Sequence, residues 1–372
     1  MRDPILRRFQ VVPPRLDDFS WLLIRLRLAS RFLRYGLGQL KSLGFSRPSP
    51  AFRLRHPGFT RHDFVLYGLD ERPATDFVST YMQCVPATRF NGSYDHAVNN
   101  KVLFPHLMRA AGLPHPRYFG RLGPAGFQSA EGGIATDRAE EIGKILRTVP
   151  RLAIKPIKGS KGAGLLFLDR DGEPIRANGV PILGEELEVL LRRLGPAIVT
   201  EFIDQHEYAR VLFPTTTNTI RLLTLWDYAA GRPFIAAAAQ RIGSSRSHPA
   251  DNFRGGRGGL SAEIDRSTGM LSRAATLSDS NRVEWFETHP ESDAPIAGIQ
   301  VPHWPETIRS VLEGARILSF APCVAWDVVI TNEGFNVVEI NGAPGLHVHQ
   351  VHRPLLADPR NRAFYRHFGV VR

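Results

Sequence analysis

Cysteine is almost absent. The chain has two, Cys84 and Cys323, in unrelated surroundings and without a C-x-x-C spacing. A disulfide framework and a thiolate metal site are therefore excluded, and both residues read as buried, reduced thiols. Long apolar runs are missing too. Nothing approaches the ~18 consecutive apolar residues that span a bilayer, and the first residues lack a secretory signal's apolar core and small-residue cleavage site. A cytoplasmic chain is expected. Repeats and low-complexity tracts are also lacking. Acidic residues are scarce in one place: between Met1 and His56 twelve basic residues face three acids, a net of +9 out of +11, which leaves +2 for the rest. The body is thus nearly neutral, and a nucleic-acid partner is not expected.

What is present is ordinary globular material. With 372 residues, 43% hydrophobic and 22% charged, the chain can bury cores in two or three domains. The basic segment holds an amphipathic helix, Phe19 to Leu43. At about 100° per residue, Arg27, Arg31, Arg34 and Lys41 share one arc, and Leu22, Leu26, Phe32, Leu33, Leu37 and Leu40 lie opposite. Such a helix docks on the chain's own body, pairs with a second copy, lies on an anionic membrane surface or takes an acidic partner. A homodimer contact or a peripheral place at the inner face of the membrane through residues 19–43 stays open.

After a mixed stretch with a short strand at Phe64 to Tyr67, the pattern turns regular. A helix over Asn99 to Ala111 and another over Arg138 to Arg147 lead into the strand Arg151 to Pro156. Lys158-Gly159-Ser160-Lys161-Gly162-Ala163-Gly164 and the apolar run Leu165 to Leu168 follow. Next come a charged helix, Glu185 to Leu194, a buried strand, Ala197 to Ile203, and two β-rich stretches, Thr219 to Tyr228 and Pro233 to Ile242. A glycine and arginine loop, Asn252 to Gly259, a helix, Glu306 to Leu318, and a hairpin, Val324 to Ile340, complete the chain. This is α+β organisation with mainly antiparallel strands, not a doubly wound sheet.

Two pieces carry chemistry. If the hairpin turns on Asn332, Glu333 and Gly334, Asp327 stands opposite Glu339, and Asn341 falls on the same face because side chains alternate. Two carboxylates and an amide without a thiolate suit a hard cation such as Mg²⁺, and opposed like charges call for a neutralising one. The other reading is an acid pair solvated at an edge. The glycine loop matches neither the dinucleotide fingerprint nor the P-loop, since it precedes a strand. With Lys158, Ser160 and Lys161 it can fold over a polyphosphate. Lys155, inside an apolar strand, needs an anionic partner unless it sits on an edge strand and reaches water.

The order of these pieces resembles the ATP-grasp superfamily, and more narrowly its sugar-transfer-associated group, over roughly Asn99 to His352. The residues are Asn100-Lys101 opening a helix, Ile154-Lys155-Pro156 with its glycine loop, Val199-Thr200-Glu201-Phe202-Ile203, Asn218-Thr219-Ile220-Arg221, Arg241-Ile242-Gly243, Asp251-Asn252 with Gly255-Gly256, and Trp326-Asp327 with Glu339-Ile340-Asn341. The resemblance implies an ATP-grasp fold, two α+β subdomains gripping ATP. Lys101 and Lys155 contact phosphates, and the loop with Lys158, Ser160, Lys161 and Gly162 closes over them. The backbone of Glu201, Phe202 and Ile203 meets adenine, and Glu207 or a neighbour meets the ribose. Mg²⁺ sits on Asp327, Glu339 and Asn341, while Arg221 and Arg241 steady the transferring phosphoryl group.

On this reading residues 1–56 are an extension, 57–150 a region ahead of the grip, 151–204 the first subdomain and 205–372 the second. Asn252, Arg254, Gly255, Gly256 and His347 are the candidate substrate contacts, with Arg246 and Arg257 beside the loop; a solvated basic loop is the alternative. His347, His349 and His352, read as extended chain, line the substrate site, cap the metal shell or form a zinc cluster. The activity implied is an ATP-dependent carboxylate-amine ligase working through an acyl phosphate on small-molecule substrates. The alternatives are a phosphotransferase acting on a hydroxyl and a non-catalytic nucleotide- or lipid-binding module.

Overall fold

The computed structural model describes residues 58–371 apart from 85–86, 158–163 and 171–173. The basic helix at 19–43 and the glycine-loop residues Lys158, Ser160, Lys161 and Gly162 lie outside the described residues. The described chain forms two compact units. One contains Asn100–Arg109 and Pro114–Asp204; the other contains 58–99, Ala110–Leu113 and 205–371. The region 57–150, expected as one piece, is thus divided, because its later strands pair into the first unit's sheet while residues 58–99 pack under the second. Among the described residues no helix is long and apolar enough to cross a membrane.

The first unit is an eight-stranded antiparallel sheet: β1 (Tyr118–Gly123), β2 (Gly126–Ser129), β3 (Ile134–Ala135), β4 (Arg151–Pro156), β5 (Leu166–Asp169), β6 (Arg176–Ala177), β7 (Val180–Pro181) and β8 (Ala197–Glu201), in the order β3-β2-β1-β8-β4-β5-β6-β7. Leu152, Ile154, Leu166, Leu168, Ala197 and Val199 join one apolar core with Ile142 of the helix Arg138–Ile145 and Leu187, Leu190, Leu191 and Leu194 of the helix Gly184–Leu194. Because side chains alternate, Ala153, Lys155, Phe167, Ile198 and Thr200 belong to the opposite face. Since β4 runs between β8 and β5, the edge-strand account of Lys155 does not hold.

The second unit is a seven-stranded antiparallel sheet: β9 (Ile220–Asp227), β10 (Arg232–Ile242), β11 (Leu260–Ile264), β12 (Leu271–Leu277), β13 (Val283–Phe286), β14 (Cys323–Thr331) and β15 (Gly334–Asn341), ordered β13-β12-β11-β10-β9-β14-β15. Every residue of β14 is buried, so this strand is core on both faces. The expected strand at Phe64 to Tyr67 is instead the end of a helix, Arg61–Tyr67. Thr60 and Asp63 cap each other's backbone N–H groups at its start, and Gly68 ends it in the left-handed region. These caps outweigh the strand preference of an aromatic and β-branched run.

The hairpin reaches its expected pairing by a different route. Thr331 pairs with Gly334, so the turn has two residues rather than three, which alone would shift the register by one. An irregularity between Asp327 and Val328, where Val338 is the extra residue, shifts it back, and Asp327 stands opposite Glu339.

The base of this hairpin is clamped by the preceding chain. Asn91 Nδ2 donates to the carbonyls of Cys323 (2.8 Å) and Gly342 (3.0 Å), and its Oδ1 accepts from Cys323 N–H (3.0 Å). Asn99 Oδ1 accepts from Gly342 N–H at 3.1 Å. Asn91→Ala strands three buried backbone groups, so urea denaturation should show a loss of about 2 to 4 kcal/mol. A loss below about 1 kcal/mol would mean the clamp is redundant.

Candidate functional site

The register of the second sheet builds one charged face. Asp327 on β14 is paired with Arg221 on β9 and with Glu339 on β15. Arg221 is paired with Ala239 on β10, so Arg241, two residues on, shares the face, as do Thr219 and Asn341 on the same count. Asp327 is 2% exposed and Arg241 8%; at that burial their charges must be met by protein groups.

They are met by one another. Arg221 donates from Nε to Asp327 Oδ1 and from Nη2 to Oδ2 at 2.9 Å. Arg241 Nη2 donates to Asp327 Oδ2 at 3.0 Å and lies 3.4 Å from Asp251 Oδ1. Arg241 Nε donates to Thr219 Oγ1 at 2.9 Å, and Thr219 passes the chain on, donating from Oγ1 (2.6 Å) and N–H (2.7 Å) to Asp251 Oδ2. Burial alone would raise the Asp327 carboxyl, but the guanidiniums of Arg221 and Arg241 outweigh it and hold the group below the usual range. Asp251 goes the other way, raised by burial against the pull of Arg241. Burial lowers Arg241, yet Asp251, Asp327 and Glu339 together raise it.

The neutralising charge beside Asp327 and Glu339 is therefore the protein's own. The like-charge argument for a cation does not hold, and neither does the solvated edge pair, since Asp327 is buried. What remains is the donor chemistry, and it fits. An ionised carboxylate offers about four lone-pair sites, and guanidinium hydrogen bonds take three of those on Asp327. Glu339 is half-buried opposite, and the half-buried Asn341 keeps its Nδ2 buried without a hydrogen-bond partner among the described residues. Two carboxylates and an amide on one face are an all-oxygen set suited to Mg²⁺.

The histidine segment is a helix, His347–Gln350, not extended chain, and its histidines diverge. His347 Nε2 donates to Asp63 Oδ1 at 2.9 Å. His352 Nε2 lies 3.1 Å from Ser261 Oγ. His349 is 5% exposed, and neither ring nitrogen has a partner among the described residues. His347 and His352 go to different partners and His349 to neither, and among the described residues no group of three His, Cys, Asp or Glu is placed to hold a metal, so a shared zinc ion is ruled out.

The second glycine loop is explained by packing. Gly255 (φ +66°) faces His62, where an added Cβ would come within 2.4 Å of Nε2, and Gly256 (φ +85°) meets Leu277. Its glycines are packed, but Arg246, Arg254 and Arg257 are exposed, as a solvated basic loop requires. Arg246 donates to the Leu277 carbonyl (3.2 Å) and Arg257 to Asn281 Oδ1 (2.7 Å). Asn252 accepts the Gly259 N–H on its carbonyl at 2.9 Å, and Arg254 opens the short helical turn Arg254–Gly256. Glu207 opens the helix Glu207–Arg210, is exposed and pairs with Arg210.

In the first unit, Asn100 Oδ1 accepts the Val102 N–H at 2.9 Å, which puts the half-buried Lys101 in the turn that opens the helix Phe104–Ala110. Lys155 is half-buried on the face opposite the helical core. The Glu201 and Phe202 N–H groups donate to the Arg117 (2.9 Å) and Arg151 (3.2 Å) carbonyls. The Phe202 ring lies edge-on to Phe167 at 5.2 Å and under the Arg151 guanidinium at 3.7 Å. Sequence reasoning gave no role to Asp63 and no individual role to Asp251 or Thr219, which entered only with the family resemblance. Parity with Arg221 would have placed Thr219, but no signal pointed to Asp63.

The profile of the sugar-transfer associated ATP-grasp family matches residues 88–361. The chain belongs to that family. The two antiparallel sheets with their helices are its α+β ATP-grasp fold. Among solved structures, the chain is similar to the ATP-grasp ligase PsnB complexed with minimal precursor, at 15% identity over 74% of this chain and 63% of that one, with a TM-score of 0.39. It is also similar to the D-alanyl-alanine synthetase A from Vibrio cholerae, at 10% identity over 73% and 61%, TM-score 0.41. For the D-alanine-D-alanine ligase from Coxiella burnetii the values are 11% over 83% and 64%, TM-score 0.39. The chain thus spans about three fifths of the length of the solved chains it matches. No curated protein matches it in sequence.

Two histidines of this ATP-grasp chain, the buried His349 and the half-buried His352, make its stability depend on acid. Burial pushes His349 and His352 down to about 3, from an ordinary 6.5. Between those values the unfolded chain binds two protons that the folded chain does not, so stability falls as pH falls. His352→Gln should make that slope shallower by about 1.4 kcal/mol per pH unit in denaturation series. An unchanged slope would show that His352 is not held neutral.

Proposed function

We propose that the chain is an ATP-dependent ligase that activates a carboxylate as an acyl phosphate and transfers it to an amine, releasing ADP and phosphate. The observation that carries this reading is the face on which Asp327, Glu339 and Asn341 stand beside Arg221 and Arg241, in a chain of the ATP-grasp family. Attack of a carboxylate on the γ-phosphoryl group spreads negative charge over oxygens, and fixed cationic groups that need not reorganise are what lowers that barrier.

Asp327, Glu339 and Asn341 are the residues that would hold Mg²⁺. When bound, the ion neutralises charge on phosphate oxygens. Arg221 and Arg241, positioned at rest by Asp327, supply donors to the transferring phosphoryl group and then to the acyl phosphate. Lys101 and Lys155 bind the remaining phosphates. Since the N–H groups of Glu201 and Phe202 are committed to the sheet, the adenine-facing donor falls to Ile203. Lys158, Ser160, Lys161 and Gly162, which lie outside the described residues, are the further phosphate-binding residues of this reading. Asn252, Arg254, Gly255, Gly256 and His347 border the carboxylate and amine substrates.

The test is a screen of carboxylate and amine pairs for ADP release, with mass spectrometry of the products. An amide product that needs both partners is expected; a phosphorylated product without an amine would identify a phosphotransferase instead. With the active pair, Glu339→Ala should retain the fold by circular dichroism and lose roughly 10² to 10³ in turnover, as should Asp327→Asn, which leaves Arg221 and Arg241 an acceptor. Near-normal turnover in either variant removes the metal assignment. Lys155→Ala should weaken ATP binding by calorimetry, and unchanged affinity would favour a non-catalytic module.

A further inference from the structure

His349 is buried in a helix whose other polar groups are satisfied. The Val348 carbonyl accepts from Ser261 Oγ at 2.7 Å. The Gln350 side chain accepts from Val78 N–H (2.8 Å) and donates to the Val78 carbonyl (2.8 Å) and to Tyr67 (3.1 Å). His347 and His352 have Asp63 and Ser261. The helix is thus held in place, and the two unmet ring nitrogens of His349 are not a consequence of loose docking. Burial, then Arg221, His352 and Arg241, disfavour its protonated form, so the ring is neutral, with one donor and one acceptor and neither used among the described residues. Buried polar groups without partners are rare because they cost stability that an apolar side chain of similar size would not. The helix packs against β10, the strand that carries Arg241, and against β11, and the charges that act on the ring, Arg221, Arg241 and Asp327, are those of the face described above.

We propose that His349 is a substrate-contacting residue, whose ring N–H hydrogen-bonds a carboxylate or acyl-phosphate oxygen of the ligand that Arg221 and Arg241 engage. This rests on the ligase reading. A neutral imidazole there donates to the oxyanion without adding a third full positive charge beside the two guanidiniums, and the bound ligand supplies the partner the protein withholds.

The probe is acetyl phosphate, the smallest stable acyl phosphate, added to the protein saturated with Mg²⁺ and ADP and followed by thermal denaturation. Wild type, His349→Phe and His349→Gln are compared. Without ligands, His349→Phe should melt roughly 2 °C or more above wild type, because it removes unmet polar groups. It should bind ADP as wild type does but need at least about tenfold more acetyl phosphate for the same stabilisation, the effect of one lost hydrogen bond to a charged group. His349→Gln, which offers a donor and an acceptor, should regain most of that affinity. If ligand-free His349→Phe is less stable than wild type, the ring has partners in the protein and the proposal falls. It also falls if the Phe variant or the wild type responds to acetyl phosphate in a way that does not depend on the ring, including no response from either. Failure of wild type to bind ADP would instead overturn the ligase reading itself.

Discussion

One carboxylate organises the second unit. Asp327 lies in a strand buried on both faces, where an unpaired charge would be prohibitively costly. It is tolerated because its neighbour across the sheet, Arg221, grips both oxygens and Arg241 reaches it diagonally. Arg241 in turn is satisfied by Thr219 and Asp251, so each guanidinium of the face is met by a carboxylate. Remove Asp327 and the buried Arg241 and half-buried Arg221 lose their shared acceptor; keep it and the arginines are already aligned before any ligand arrives.

That alignment connects fold to chemistry. The strand order β10-β9-β14-β15 places Arg241, Arg221, Asp327 and Glu339 side by side, and the antiparallel ladder fixes their spacing. The clamp of Asn91 and Asn99 on Cys323 and Gly342 holds the end of the same hairpin, which gives residues 58–99, with no catalytic group among the proposed ones, a part in keeping the face in register.

How much of this the sequence reveals depends on how local the cause is. The strands β4, β8, β9, β10 and β14 are legible because apolar runs bounded by Gly, Pro or Asn are local signals. The pairing of Asp327 with Glu339 is legible only by compensation, since the two-residue turn and the extra residue Val338 offset each other. The strands β11 to β13 are not legible: Leu260-Ser261-Ala262-Glu263-Ile264 and Leu271–Leu277 are rich in Ala and Ser, and only the successive pairing of β11 on β10, β12 on β11 and β13 on β12 makes them sheet. The guanidinium pairs of Asp327 are equally hidden, because they depend on which strand lies beside β14, and 106 residues separate Arg221 from its partner. Hence a face read as needing a cation already carries its own counter-charge.

The claim that this face handles the terminal phosphate of ATP is tested most directly by the structure of the protein with Mg²⁺ and a non-hydrolysable ATP analogue. The account predicts the γ-phosphate within hydrogen-bond distance of Arg221 and Arg241, with the ion on Asp327, Glu339 and Asn341. A nucleotide bound elsewhere, with both arginines still spent on Asp327 alone, would contradict it.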